Sequence, residues 1–462
     1  MTKHPGKTSL IEISEFVSQL RWEAVPSAVL DKVKTHFLDT LGASLAGTRS
    51  REFSVVSDLI DNTNDGSVIW GTNKYASMRD AALLNGIAAH VFELDDTGGC
   101  DHSGAVVVPA VLAAANHLEA SGKELLLSVL VGYEVGRRVL EASGGYDGHN
   151  GAGWHSTGTC GAIGAAAAVA KLWRLNTKET ANAITIATSF SSGLWAFIHD
   201  GSQTKKLHAG RAAEGGLLAA QLAKAGISGP SLVFDDVWGG FFKSFIGKQG
   251  QPDLFTADLG SVFKVSRVSL KPYASCRGTH SAVDALGDIL ADTGRTRADI
   301  SFISLQVSAF LDGMCGRPDI NPLAAAQMSL PLAIALFVEY GDAGLQSYSK
   351  DKRQEPNVLA ALQKIKVVVD QEAPAMAEPM VQVHFNDGCV FERRVEKASG
   401  SPDRPMNEES VRNKYRMLAG MALPAASVEQ VFDLINSLSD VDNIAPLLAA
   451  LRNPNNAPSI FE

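Results

Sequence analysis

Between residues 25 and 225 this chain is a succession of apolar, alanine- and glycine-rich segments with helical spacing, and that run limits its fold more than any other feature. Val29, Val33, Phe37 and Leu41 recur every four residues behind Pro26 and stop at Gly47, which predicts a helix over 25–47. Further helices are predicted over about 80–92, 105–120, 123–142, 160–173, 178–195 and 209–225. Those over 105–120, 160–173 and 178–195 are apolar on most faces and belong inside a bundle. With 42 glycines, many alanines and 45% hydrophobic residues in 462, the chain can pack helices closely around a large core and fold as two domains.

Almost nothing before residue 259 alternates like a strand, and the character changes near Val262. Residues 263–270, 303–310 and 364–369 read as strands, with helices over 281–293 and 323–340. Two more strands, 380–385 and 390–395, flank Asn386-Asp387-Gly388, a hairpin turn signal. Helix returns over 407–418 and 427–438, the latter opening on Ser427-x-x-Gln430, a capping-box pattern. The expected fold is mainly α: a large helical domain built from both chain ends, 1–260 and 400–462, with a smaller α+β lid domain over 261–399. The polar stretch 399–404, with Pro402, is the best linker.

Several function classes drop out. A net charge of −9 argues against a nucleic-acid partner and requires a local basic pocket for any anionic substrate. Cys100, Cys160, Cys276, Cys315 and Cys389 show no CxxC spacing, so neither a disulfide framework nor a thiolate-held metal or cluster is expected, and a reducing cytoplasm is the simplest compartment. Residues 1–20 lack the apolar core of a secretory signal, and no stretch reaches the ~20 apolar residues needed to span a bilayer.

Chemistry is offered by three polar clusters at the borders of the apolar helices. The first is Glu93-Leu-Asp95-Asp96-Thr97 with Asp101 and His102. Aspartates here can cap a turn, and an aspartate-rich magnesium site is a rival, but the only other Asp pair, Asp235-Asp236, has no third carboxylate nearby. The second, Gly201-Ser-Gln-Thr-Lys205-Lys-Leu-His208, reads as a polar loop opening onto the helix at Ala209. Its N–H groups and Lys205 suit an anion, although lysines at such junctions are often merely solvated. The third is Lys271-Pro-Tyr-Ala-Ser-Cys276-Arg277-Gly-Thr-His280. Arg277 can grip a carboxylate with two parallel bonds, and His280, near a helix N-terminus, is disfavoured as an imidazolium and poised as a base. Equally, Arg277 could cap a helix and His280 could be a core residue; Cys276 reads as packing.

In this order the three clusters resemble the MmgE/PrpD family. So do Gly153-Trp-His155-Ser-Thr157-Gly-Thr, the Lys205-x-Leu-His-x-Gly210-x-Ala-Ala turn, Gly226-Ile-Ser-Gly-Pro230, Lys271-Pro-Tyr-x-Ser-Cys and Ala326-Gln-Met-Ser-Leu-Pro331. The family includes 2-methylcitrate dehydratase, cis-aconitate decarboxylase and iminodisuccinate epimerase. The resemblance implies a homodimer without cofactor or metal, its active site between a helical domain and a lid. By position it puts Glu93, Thr97, His102, Lys205 and His280 in that site, with His155 in a shared motif. The decarboxylase branch carries Asp where this chain has Glu93, one residue more between Thr97 and His102, and often tyrosine where Leu332 stands.

Acids, imidazoles and cations in this combination suit proton transfer at carbon next to a carboxylate. The expectation is a cofactor-independent lyase on a small di- or tricarboxylate, most simply a hydro-lyase, with decarboxylation or epimerisation as alternatives on the same groups. His102, His280 and Lys205 are the expected catalytic residues, and Glu93, Thr97, His155, Lys271 and Arg277 the expected substrate contacts. A non-catalytic carboxylate-binding protein is the alternative from another class.

Overall fold

The computed structural model describes residues 8–116, 118–453, 455 and 461, and within them the protein is mainly helical with a small sheet. The alanine-rich run folds into helices α1 (Ser27–Gly47), α2 (Met78–His90), α3 (Ser103–Ala115), α4 (Gly122–Ala142), α5 (Ser156–Leu172), α6 (Thr177–Ala187) and α7 (Thr204–Lys224). Every described residue of α3 is buried, and all of α5 except Lys171, as expected of helices without a polar face. Small residues set the packing distance: a Cβ on Gly210 of α7 would lie 2.3 Å from the Leu83 carbonyl oxygen of α2. A two-residue hairpin pairing Ser67–Val68 with Tyr75–Ala76 escaped the sequence reading because it is too short to show alternation.

Beyond residue 270, α8 (His280–Thr293), β1 (Ile300–Ser308), α9 (Leu330–Tyr340), β2 (Ile365–Asp370), β3 (Met380–Phe385) and β4 (Val390–Arg394) follow. The sheet order is β2-β1-β3-β4, with β1–β2 parallel and the other two pairings antiparallel. The Asn386-Asp387-Gly388 turn closes the β3–β4 hairpin with Gly388 at φ 85°, the left-handed conformation that glycine supplies most cheaply. Helices α10 (Glu408–Ala419) and α11 (Ala425–Asn436) return to the bundle, where Tyr415 of α10 packs beside Gly42 of α1.

Four local expectations are corrected. Residues 263–270 form no strand but one 3₁₀ turn, Lys264–Arg267. Val265 and Val268 are three apart, the period of that turn, and both bury in the bundle core. The predicted helix over 323–340 is two pieces, Leu323–Ala326 and α9. Ser329 caps α9 by accepting the Leu332 N–H, and Pro331 occupies its first turn. Helix α7 begins at Thr204 rather than 209, so Lys205 stands in a first helical turn. Helix α11 begins at Ala425 behind Pro424, which makes Ser427 an interior residue and not a cap.

Buried apolar side chains form two clusters. The larger joins the helices of the alanine-rich run with Val411, Tyr415, Val428 and Val431 of α10 and α11. The other joins the sheet with α8 and α9, and it also takes in Val91, Phe92 and Leu94 from the end of α2. Among the described residues no helix is long and apolar enough to cross a membrane.

Candidate active site

Helix α2 ends at His90, and the residues after it alternate between two destinations. Val91, Phe92 and Leu94 enter the sheet-side core, while Glu93 and Asp95 turn into a polar cluster. Glu93 adopts φ 55°, a left-handed conformation that costs of order 1–3 kcal/mol for a residue with a side chain. Three ammonium groups hold it there. Lys205 Nζ lies 2.8 Å from one Glu93 oxygen, Lys206 Nζ 3.0 Å from the same oxygen, and Lys271 Nζ 3.4 Å from the other. All four side chains are buried. Burial by itself would raise the Glu93 carboxyl, but the three cations overcome it and hold it well below the usual carboxylate range.

Backbone pairing explains how Lys271 arrives. The Thr97 N–H donates to Ser269 (3.0 Å) and the Ser269 N–H to Thr97 (2.7 Å), tying the two segments together. Lys206 is positioned by Gln327, in the break between the short helix and α9. Its side-chain oxygen accepts from Lys206 (3.0 Å) and its amide donates to the Phe92 and Ala274 carbonyls (2.8 and 3.1 Å). Lys205 faces the Met328 sulfur and the rings of Trp195 and Phe197, which leaves Glu93 as its nearest anion. A cleft of about 10 Å³, room for a single water, lies against Lys205 and Lys206 beside Ser202 and Arg317.

A second set of contacts links imidazoles and aspartates. Asp95 accepts from His90 Nδ1 and His102 Nδ1, both at 3.1 Å. His102 Nδ1 also lies 2.8 Å from the Asp96 carbonyl, which places the proton on that nitrogen. On the far side of His102, Asp101 stands 3.7 Å from Nε2 and bonds His155 Nε2 (3.3 Å), Thr97 Oγ1 (3.3 Å) and the Tyr146 hydroxyl (3.2 Å). His155 Nδ1 meets His208 Nδ1 at 2.8 Å. Asp96 looks away, accepting from the Gly104 N–H at the start of α3 and from Tyr133, with His36 Nδ1 3.3 Å away, so its role is the capping one.

These surroundings divide the histidines. Burial lowers His102, yet Asp95 and Asp101 on either side outweigh it and raise it above the ordinary imidazole value. Burial, then the nearby Arg277 and Lys271 charges, push His280 well below it. His280 Nε2 is 3.2 Å from the Ser275 carbonyl, whose oxygen also takes Lys271 Nζ at 3.5 Å, and its Nδ1 is buried without a partner among the described residues. His280 is therefore neutral, its proton on Nε2 and its lone pair on Nδ1. His90, buried, is held down to about 3.

The expected residues thus stand as follows. Glu93, Thr97, His102, His155, Lys205, Lys271 and His280 join one buried network, linked through Asp95, Asp101 and Ser275. Arg277 does not join it: its two-pronged grip falls on Glu378 of the same chain (2.7 and 3.4 Å), with its side chain 30% exposed. His90, Lys206, His208 and Gln327 went unassigned from sequence. His90 carried a signal as a histidine three residues before Glu93 on a buried helix, Lys206 and His208 lay within the second polar cluster, and Gln327 lay within a shared motif. Cys276, read as packing, takes a hydrogen bond from the Cys315 thiol that, despite burial and with help from Lys205, lowers its own thiol to about 6.

Among the described residues, two donor sets have ligand atoms within 4.8 Å of each other, His90/Asp95/His102 and Asp101/His102/His155. They have the donor types that hold a divalent ion, and in both the donors already bond one another. The same contacts serve equally to orient and charge His102.

Comparison with known proteins adds a sequence relationship along nearly the whole chain. The MmgE/PrpD N-terminal domain matches residues 11–252, and the MmgE/PrpD C-terminal domain matches residues 273–439. A cis-aconitate decarboxylase of Aspergillus terreus is 30% identical, over 98% of this chain and 98% of that protein. The cis-aconitate decarboxylase of Homo sapiens is 28% identical over 92% of this chain and 91% of its own length. That of Mus musculus is 26% identical over 94% and 92%.

Proposed function

The chain belongs to the MmgE/PrpD family and is a lyase, and from that premise we propose that it removes water from a small hydroxy-carboxylate, without a cofactor, through a carbanion next to a carboxylate. The observation that carries this reading is the opposite charging of two imidazoles in one buried network. His102 sits between two carboxylates and His280 among cations, and a pair driven apart in this way supplies an acid and a base at the same pH.

Elimination uses both. His280 Nδ1 takes the proton from the carbon beside the substrate carboxylate. The charge that builds on that carboxylate is held by Lys205 and Lys271. As the C–O bond breaks, His102 gives a proton to the departing hydroxyl, which leaves as water, and an alkene remains. Thr97 and His155, tied together by Asp101, orient the substrate. In this reading residues 261–399 form a lid that opens over the helical bundle, because the network is too enclosed here to admit a substrate. The enzyme is read as a cytoplasmic homodimer, on the scattered cysteines and the family resemblance.

Decarboxylation is the second reading, favoured by the relatives that bear that name. It passes through the same carbanion: carbon dioxide leaves, and His102 protonates the carbon. Incubation with citrate, 2-methylcitrate, malate, 2-methylmalate, cis-aconitate and aminodicarboxylates in D₂O, followed by NMR, separates the outcomes. A new alkene with loss of water supports elimination, carbon dioxide supports decarboxylation, and deuterium uptake with inverted stereochemistry supports epimerisation. His102→Gln and His280→Gln are each expected to lose 10²- to 10⁴-fold in kcat while remaining folded. No turnover by the native protein, with carboxylate binding unchanged in the double variant, would make it a binding protein and end the lyase reading.

A further inference from the structure

We infer that Arg317 is a further specificity-determining residue, its guanidinium taking the substrate carboxylate that lies away from the reacting carbon in exchange for two backbone carbonyls. The inference rests on the lyase reading for its substrate class and adds a second anchor, so that the preferred substrate carries at least two carboxylates.

The position is set by the small cleft at the start of α7. About 10 Å³ in volume, it is lined by Lys205 and Lys206 from the first turn of that helix, by Ser202 just before it, and by Arg317. The arginine expected from sequence to grip substrate, Arg277, is engaged with Glu378. Arg317 instead shares its cleft with Lys205, which the lyase reading sets beside the reacting carboxylate. The backbone under Arg317 is tied to the elements that carry the site. Ser329, the cap of α9, donates its hydroxyl to the Arg317 carbonyl at 2.6 Å, and Gln327, two residues before Ser329, holds Lys206.

The partners of the guanidinium are of a kind that a carboxylate displaces. Nη1 donates to the His199 carbonyl (2.9 Å) and Nη2 to the Ile198 carbonyl (2.5 Å), while Nε lies 3.2 Å from Asp319. Two neutral oxygens thus occupy the two Nη groups, where the fork could instead meet both oxygens of one carboxylate. Parallel bonds with charge on both sides are stronger than bonds to neutral carbonyls. Asp319 is 38% exposed, so its ion pair is worth little in water, but it keeps the fork aimed. The lid opening proposed above would break the carbonyl bonds, since Arg317 belongs to residues 261–399 and both carbonyls precede α7 in the bundle part of the chain. The guanidinium is then freed as substrate enters and closes over its far carboxylate, with Lys205 and Lys271 on the near one.

The test compares a diacid with its half-ester. Calorimetry would measure glutarate against monomethyl glutarate, neither of which can eliminate water, with the native enzyme, Arg317→Gln and Arg317→Lys. The native enzyme is expected to bind the diacid at least tenfold more tightly. Arg317→Gln is expected to bring the two affinities within about threefold of each other, and Arg317→Lys to retain part of the preference, because an ammonium keeps the charge but not the fork. With 2-methylmalate, Arg317→Gln should raise KM at least tenfold and change kcat less than threefold. Native enzyme that binds the diacid no more tightly than the half-ester overturns the inference whether or not either variant folds. So does a folded Arg317→Gln that keeps the native ratio, including one that weakens both ligands equally, which would make Arg317 a latch between the two parts of the chain and nothing more. Absence of turnover with the expected binding ratios intact would instead count against the lyase reading.

Discussion

At the scale of single residues, the site is an exercise in making burial tolerable. Each charged group in it is opposed by desolvation and is kept ionised only by an opposite charge within about 4 Å. Asp95 is the pivot, because it touches both His90 and His102. It acts as a positioning residue, and its effect is readable in pH. If protonated His102 is the acid, activity falls on a basic limb whose midpoint lies above the ordinary imidazole value of 6.5. Asp95→Asn should move that midpoint down and slow turnover about 10- to 100-fold; a limb left in place would remove Asp95 from the account. The same groups set stability. The raised His102 contributes most below its unfolded value and loses that contribution as pH climbs through its folded one. Glu93 and Asp95, both depressed, contribute above their unfolded values and lose it as pH falls toward their folded ones. The stability maximum therefore lies between the two ranges, and thermal melts across pH would locate it.

At the scale of elements, the lysines depend on how closely α7 lies against α2. Gly210 makes that approach possible, since a Cβ there would stand 2.3 Å from a backbone oxygen and 2.7 Å from the Ile87 side chain. Gly210→Ala should cost about 1–3 kcal/mol of stability and also reduce activity, because Lys205 and Lys206 ride on the same helix. Arg211, the next residue, points to solvent, and Arg211→Ala should change stability by less than about 0.5 kcal/mol. Equal melting shifts for the two would contradict the close-packing explanation.

At the scale of the whole molecule, the chain's end supports the site laid down near its beginning. Lys414 of α10 is buried, bonds Asp39 of α1 at 2.6 Å, and donates to the Leu94 carbonyl at 2.7 Å, between Glu93 and Asp95. Lys414→Met strands the Asp39 carboxylate and should cost about 3–5 kcal/mol in a chemical denaturation series. It should also lower kcat by freeing the backbone that carries Glu93; full activity in a folded Lys414→Met would show the two ends to be independent.

The sequence by itself determined whatever depends on neighbours along the chain. Helical spacing with small residues foretold α1 to α7, and Asn386-Asp387-Gly388 foretold the β3–β4 hairpin, because periodicity and turn chemistry are local. It also showed three polar clusters beside buried helices, where charge is costly, and the family resemblance of those clusters pointed to Glu93, Thr97, His102, Lys205 and His280. Only the tertiary structure decided which partner each would meet. Glu93 and Lys271 are 178 positions apart, and nothing local distinguishes Lys205 from Lys206 or sends Arg277 to Glu378 instead of to the cluster. Those pairings arise when packing closes long loops and withdraws water, and only then does the low-dielectric interior give each charge an effect on the next.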